Sequence, residues 1–213
     1  MKLIDMSLNE FSDEVDSSSP APGGGSVAAL ASNIGVGLCK MMAHLSFGKK
    51  KYENLDEAIR IEFVNIFNQL SDIRQELVNL VDKDTEAFNE VMKALKMPKN
   101  SEEEIKNRNS AIQDATLFSI EVPYKTAELS LEALKLVDYI ATYGNQNAIT
   151  DIGVGTLMIY TGLEGAILNV KVNLSSIKDD NTKNHYTKCC GEILELGNKI
   201  KDKVIEDIHS KIS

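Results

Sequence analysis

The sequence contains no tryptophan, three cysteines, three histidines and four prolines in 213 residues, and it is short of positive charge. Each shortage excludes something. Cys39, Cys189 and Cys190 are an odd number with no Cys-x-x-Cys spacing, which argues against a disulfide framework and a zinc site. That usage fits a reducing compartment, so a cytoplasmic location is expected. His44, His185 and His209 stand in no metal-ligand spacing with another His, Cys or carboxylate pair, and no metal is expected. Lys and Arg number 23 against 32 Asp and Glu, a net charge of −9, so general binding to nucleic acid or an anionic membrane is not expected. Residues 26–39 are apolar but too short a run to span a bilayer, and Lys40 and His44 follow. The start, Met-Lys-Leu-Ile-Asp, lacks the apolar core of a signal peptide. No strand-like alternation of useful length, internal repeat or low-complexity tract appears. Neither does a Rossmann, P-loop or nucleophile-elbow signature.

What remains reads as helix throughout, in a single domain over residues 1–213. Hydrophobic residues at 43% and charged residues at 26% are ordinary for a globular chain. Residues 17–26, Ser-Ser-Ser-Pro-Ala-Pro-Gly-Gly-Gly-Ser, interrupt the helical pattern. Pro20 and Pro22 stiffen the backbone, while Gly23, Gly24 and Gly25 lack Cβ and allow close approach. Ser26 then reads as an N-cap to a helix beginning at Val27. A helix start beside a glycine turn favours electron-rich ligand groups. A tight connector between helices is the plainer alternative.

Helical spacing predicts a short amphipathic helix over 7–16 through Leu8, Phe11 and Val15. A helix over 26–47, rich in Ala, Gly and Ser and apolar nearly all round, is expected to be central and buried. Gly48 stops it, and Lys49, Lys50 and Lys51 form a basic turn that reads as a solvated face. Residues 54–96 carry the strongest periodicity, from Ile59 through Phe63, Ile66, Leu70, Ile73, Leu77 and Leu80 to Phe88, Val91 and Leu95. Asp84 occupies a core position of that stripe. A carboxylate there must be paired, have a raised pKa, or both. It is either a structural hydrogen-bonding residue or an acid/base in a pocket. Asp82 falls on another face and reads as solvated.

Met97-Pro98 ends that helix, and Ser101 with Glu104 reads as a capping box for the next. Helices are predicted over 102–121 and 125–142, broken or kinked at Pro123. Residues 143–148 form a polar loop. A helix over 149–170 carries Gly155, Gly162 and Gly165 as a close-packing seam. Asp151 and Asn169 share one face at its ends, as site candidates, caps or interhelical bonds. A last amphipathic helix covers 181–211. These apolar and glycine surfaces are large for one slim bundle, and a homodimer sharing helices is expected.

Together these blocks resemble one family. They are Ser-Ser-Pro-Ala-Pro-Gly-Gly-Gly-Ser-Val (18–27), Gly-Lys-Lys-Lys-Tyr (48–52), Val-Asp-Lys-Asp-Thr-Glu-Ala-Phe (81–88), Lys-Met-Pro-Lys-Asn (96–100), Gly-Asn-Gln-Asn-Ala-Ile-Thr-Asp (144–151) and Asn-Val-Lys-Val-Asn-Leu (169–174). The sequence is similar to the formiminotetrahydrofolate cyclodeaminase family, which also contains methenyltetrahydrofolate cyclohydrolases. The resemblance implies an all-α, long-helix bundle assembling as a homodimer, with a tetrahydrofolate derivative bound near the subunit interface and no metal. It implies that Asp84 is catalytic and that Pro22, Gly23, Gly24, Gly25 and Ser26 form a folate-contacting wall. Lys50, Asn145, Asp151 and Asn169 match further pocket positions, and the lysine turn could attract an anionic, polyglutamylated tail. In mammals the domain is fused to a formiminotransferase, which 213 residues are not expected to hold. Cyclodeaminase is the expected activity, with the cyclohydrolase as alternative. A non-catalytic helical interaction module, with Asp84 fixing register, is the remaining reading.

Overall fold

The computed structural model describes residues 2–212. After a 3-10 turn at Leu3–Asp5 come α1 (Leu8–Val15), α2 (Gly24–His44), α3 (Lys50–Glu53), α4 (Glu57–Leu95) and α5 (Glu102–Tyr143). A second 3-10 turn, Gln146–Ala148, leads into α6 (Ile149–Leu174), and α7 (Asp180–Ile212) follows. No strand occurs among the described residues. The all-α expectation holds.

The bundle is built around α2. Its small residues let α6 approach along most of its length. A β-carbon on Gly155 would lie 2.9 Å from the Gly35 carbonyl, and one on Gly162 would lie 2.0 Å from Ser32 Oγ. These pairings run in opposite directions along the two helices, so α2 and α6 are antiparallel. The seam glycines therefore serve helix packing. On its other side α2 meets α4 and α5, while α7 lies outside against α5 and α6. Val36, Cys39 and Met42 of α2, Phe63, Leu70 and Leu77 of α4, and Ile159 and Leu163 of α6 are fully buried. Ser32 Oγ and Ser130 Oγ share a 2.6 Å hydrogen bond inside this core. By length and composition α2 could cross a membrane, and 56% of its most apolar window is buried inside the bundle. The folded helix runs from Gly24 to His44, so it begins two residues before the predicted span of 26–47 and ends three residues short of its end.

Several expectations change. The helix begins at Gly24, with Gly23 as its N-cap, so Ser26 is not the cap but lies in the first turn. Its outer side is not buried: Val27, Ile34, Met41 and Leu45 are exposed. α1 forms, held by a full Ser7–Glu10 capping box, but Leu8 and Val15 face outward. Leu95 and Leu196 are also exposed. At the start of α5, Ser101 accepts from Glu104 N–H, but the Glu104 carboxylate reaches Asn100 N–H instead of closing the box. Asp82 is not simply solvated: it accepts a 2.6 Å bond from Leu3 N–H, tying the first 3-10 turn to α4.

Pro123 does not break the helix. α5 runs 42 residues through it. A mid-helix proline deprives the carbonyl four residues earlier of its donor. That carbonyl belongs to Ser119, and Asn173 of α6 supplies a side-chain N–H to it at 2.8 Å. The interhelical bond compensates for the missing backbone bond, and Pro123 itself is buried within the helix.

Candidate active site

The start of α2 is aimed at α4. Gly23 has no side chain to cap the helix, and Asp84 takes over part of that role from a different element. Asp84 Oδ2 accepts from Ser26 N–H at 2.9 Å and from Ser26 Oγ at 3.2 Å. Ser26 Oγ also lies 3.3 Å from Thr85 Oγ1. The approach requires bare backbone: a β-carbon on Gly25 would stand 2.0 Å from Asp84 Oδ1. Burial pushes the Asp84 carboxyl above its ordinary value, and the two Ser26 bonds oppose that rise without cancelling it. Raised above its ordinary value and touching a cleft, the group is suited to taking and returning a proton.

The cleft holds about 310 Å³ and is lined by Pro20, Ala21, Gly23 and Gly24 from the loop and α2. Asp84, Phe88 and Val91 of α4 form a second wall. Thr116 and Ser119 of α5 close it with Asn169 and Asn173 of α6, beside Ser176. Phe88 and Val91 give it an apolar patch, and Asp84, Thr116, Ser119, Asn169, Asn173 and Ser176 give it polar groups. Ala21 and Pro22 are joined by a cis peptide bond. Asn169 donates to the Gly165 carbonyl at 2.9 Å and packs against Gly24, where a β-carbon would meet its Nδ2 at 3.2 Å.

Of the residues singled out in the sequence, Gly23, Gly24, Asp84 and Asn169 line this cleft, while Gly25 and Ser26 hold Asp84 in place. Pro22 is buried beside them. The other three are not brought here within one chain. Asn145 lies past the opposite end of α2 and lines a separate pocket of about 260 Å³ with Ser46, Lys49, Lys51 and Tyr52. Lys50 is the exposed first residue of α3 near that pocket. Asp151 is in the first turn of α6. At 1.5 Å rise per residue, the 18 positions separating it from Asn169 span roughly 27 Å. Asn145 is itself held structurally, its N–H donating to Ser46 Oγ and its amide to the Leu45 carbonyl.

Sequence reasoning missed Thr116, Ser119 and Asn173 as cleft residues. For Asn173 a signal was available, since Asn169 and Asn173 are spaced i, i+4 and share a face. Among the described residues no group of three or more His, Cys, Asp or Glu side chains could hold a metal ion.

Residues 7–192 match the formiminotransferase-cyclodeaminase family. The chain is 32% identical to a methenyltetrahydrofolate cyclohydrolase of Methylorubrum extorquens over 206 residues, 97% of each chain. It is 35% identical over 178 residues to the formimidoyltransferase-cyclodeaminase of Rattus norvegicus, covering 84% of this chain but 32% of that one. The chain thus spans about a third of the length of that bifunctional relative. Its fold superposes on a formiminotetrahydrofolate cyclodeaminase of Thermotoga maritima with a TM-score of 0.77 and 27% identity, over 97% of this chain and 95% of the other. This helical protein belongs to the formiminotransferase-cyclodeaminase family.

Proposed function

We propose that the protein is a folate one-carbon enzyme that converts 5-formiminotetrahydrofolate to 5,10-methenyltetrahydrofolate and ammonia, with Asp84 as its acid/base. The observation carrying this is the partly buried Asp84 carboxyl, held by Ser26 against a cleft of about 310 Å³. N10 attacks the carbon of the formimino group, which is protonated on nitrogen; a new C–N bond forms and the C=N electron pair moves to that nitrogen. The N10 proton passes to Asp84. Asp84 returns a proton to the formimino nitrogen of the tetrahedral centre, its C–N bond breaks, and ammonia leaves the methenyl cation. A carboxylate regenerated beside that cation stabilises it. No other titratable group is needed.

A second reading has its own support. The relative matched over 97% of both chains is named a methenyltetrahydrofolate cyclohydrolase. There, water adds to the methenyl carbon with loss of a proton to Asp84. Asp84 gives that proton to N5 as the C–N5 bond breaks, and the remaining hydroxyl loses its proton to give the formyl group on N10. The tetrahedral centre is of the same kind. Incubating purified protein with each substrate separately distinguishes the two. Appearance of the near-UV methenyl band with ammonia release supports the deaminase. Accelerated loss of that band supports the cyclohydrolase. No change in either leaves the interaction module.

The proposal extends to a homodimer in the cytoplasm. The exposed Val27, Ile34, Met41 and Leu45 of α2 recur at helical spacing, as do Val154, Leu157, Leu168 and Val172 of α6. In an antiparallel pair these two stripes fall on the same side of the helix contact. They form an apolar face suited to a second copy. The Lys49–Asn145 pocket, roughly 30 Å from Asp84 along α2, is proposed to attract the anionic tail of the folate, polyglutamylated or not. The proton transfers need no metal in this scheme.

A further inference from the structure

Asn169 and Asn173 sit one turn apart on α6, and both line the Asp84 cleft. Each uses its amide Nδ2 to bond a backbone carbonyl, Gly165 for Asn169 and Ser119 for Asn173. A carbonyl can only accept, so the nitrogen must point at it. The Ser119 carbonyl is unusual because Pro123 has removed its helical donor. Turning the Asn173 amide over would set its oxygen against that carbonyl and leave the carbonyl without a donor. Pro123 therefore fixes which atom of Asn173 is free. The free atom is Oδ1, and no donor among the described residues reaches it or Asn169 Oδ1. Thr116, 4% exposed and lining the same cleft, adds a hydroxyl with no partner among the described residues.

We propose that the amide oxygens of Asn173 and Asn169 form an acceptor pair that reads the N–H edge of a flat heterocycle in this cleft, with Pro123 as the positioning residue. About 6 Å separates the two residues along the helix, a spacing suited to a planar ring with more than one donor. This rests on the folate reading above, and the amino-pyrimidinone end of the folate ring system has the required donors. A site built to accept from ligand N–H groups discriminates strongly against a ligand lacking one, because a polar group is then left unpaired.

The test is a binding cycle on the full chain. Dissociation constants are measured for tetrahydrofolate and for its counterpart lacking the exocyclic amine, with wild type, Asn173→Ala and Pro123→Ala. Asn173→Ala is expected to weaken tetrahydrofolate roughly 10-fold while changing the desamino counterpart less than about 2-fold. Pro123→Ala restores a helical donor to Ser119, so the fold should persist, with a smaller loss confined to tetrahydrofolate. Equal losses for both ligands, or no loss, would overturn the inference. If Asn173→Ala does not fold, wild-type affinity of Pro123→Ala for tetrahydrofolate overturns it alone. Failure of the wild type to bind tetrahydrofolate overturns the folate reading together with this inference. Binding without the coupling overturns only this inference.

Discussion

Gly25 and Asp84, 59 residues apart in sequence, are packed so closely that the first carbon of any side chain at Gly25 would stand 2.0 Å from one carboxylate oxygen and 2.4 Å from Cγ. The glycine run and the out-of-place aspartate of the α4 stripe are thus two halves of one construction. The loop presents a helix start without side chains, and α4 presents a carboxyl to it. Gly25→Ala must push Asp84 aside or shift α2. The expected result is a fall in turnover of 100-fold or more and a destabilisation of roughly 1–3 kcal/mol. Gly37→Ala is the control, since its β-carbon would meet nothing nearer than Arg74 Nε at 3.8 Å. Steady-state rates and chemical denaturation of both variants check this.

The raised pKa of Asp84 has a sign that stability can read. Folding raises the value, so the folded state holds this proton more tightly than the unfolded chain does. Its contribution is fully present below the unfolded carboxylate value and is lost as pH rises through the higher folded one. Relative to Asp84→Asn, the wild type should therefore be most stable below the ordinary carboxylate value and lose ground as the pH rises above it. Other carboxylates move oppositely: hydrogen bonds from Ser7, Thr182 and Lys199 lower the values for Glu10, Asp179 and Glu195. Only the difference between the two proteins isolates Asp84. A difference that is flat with pH, or rises with it, counts against a raised value.

The seam between α2 and α6 should tolerate nothing larger than hydrogen at Gly162. A β-carbon there would meet Ser32 Oγ at 2.0 Å and the Ala28 carbonyl at 2.5 Å. Gly162→Ala is expected to lower stability by about 2 kcal/mol or more. Gly191, in the middle of α7, has nothing within 4 Å of its would-be β-carbon. Gly191→Ala should raise stability by about 0.5–1 kcal/mol through helix propensity alone. Thermal melts of the pair give opposite shifts if the seam is read correctly.

The apolar face of α2 and α6 gives an assembly prediction. Ile34→Glu combined with Leu168→Glu places two charges on exposed positions of that face. Sedimentation should show a dimer for wild type and a monomer for the double variant. A dimer surviving both changes would move the interface elsewhere.

Much of this was legible in the sequence because the signals were local and repeated. The α4 stripe predicted six buried positions, from Phe63 to Leu80, and marked Asp84 as the one carboxylate in its register, while Ile59 at its start is only half-buried. The glycines of α6 announced a close helix contact. What was not legible depended on partners distant in the chain. Pro123 reads as a break when α5 is considered alone, and only Asn173 on α6 explains why the helix continues. Ser26 looks like a cap because its chemistry suits one. Its actual role is to donate to Asp84, which the sequence places 58 residues away. The outward stripe of α2 was hidden because an apolar helix reads as buried whether the chain itself or a second copy covers it. Lys50, Asn145 and Asp151 were grouped with Asp84 by likeness, and the length of α2 separates them within one chain.

The central claim is that the Asp84 carboxyl moves the protons. The most direct measurement compares wild type and Asp84→Asn for formation of the methenyl band from 5-formiminotetrahydrofolate and for its loss from 5,10-methenyltetrahydrofolate. Helical content and the sedimentation profile are recorded on the same samples. The expected result is catalysis of at least one reaction by wild type and its loss by 1,000-fold or more in the folded variant. A folded Asp84→Asn protein turning over at the wild-type rate would contradict the account.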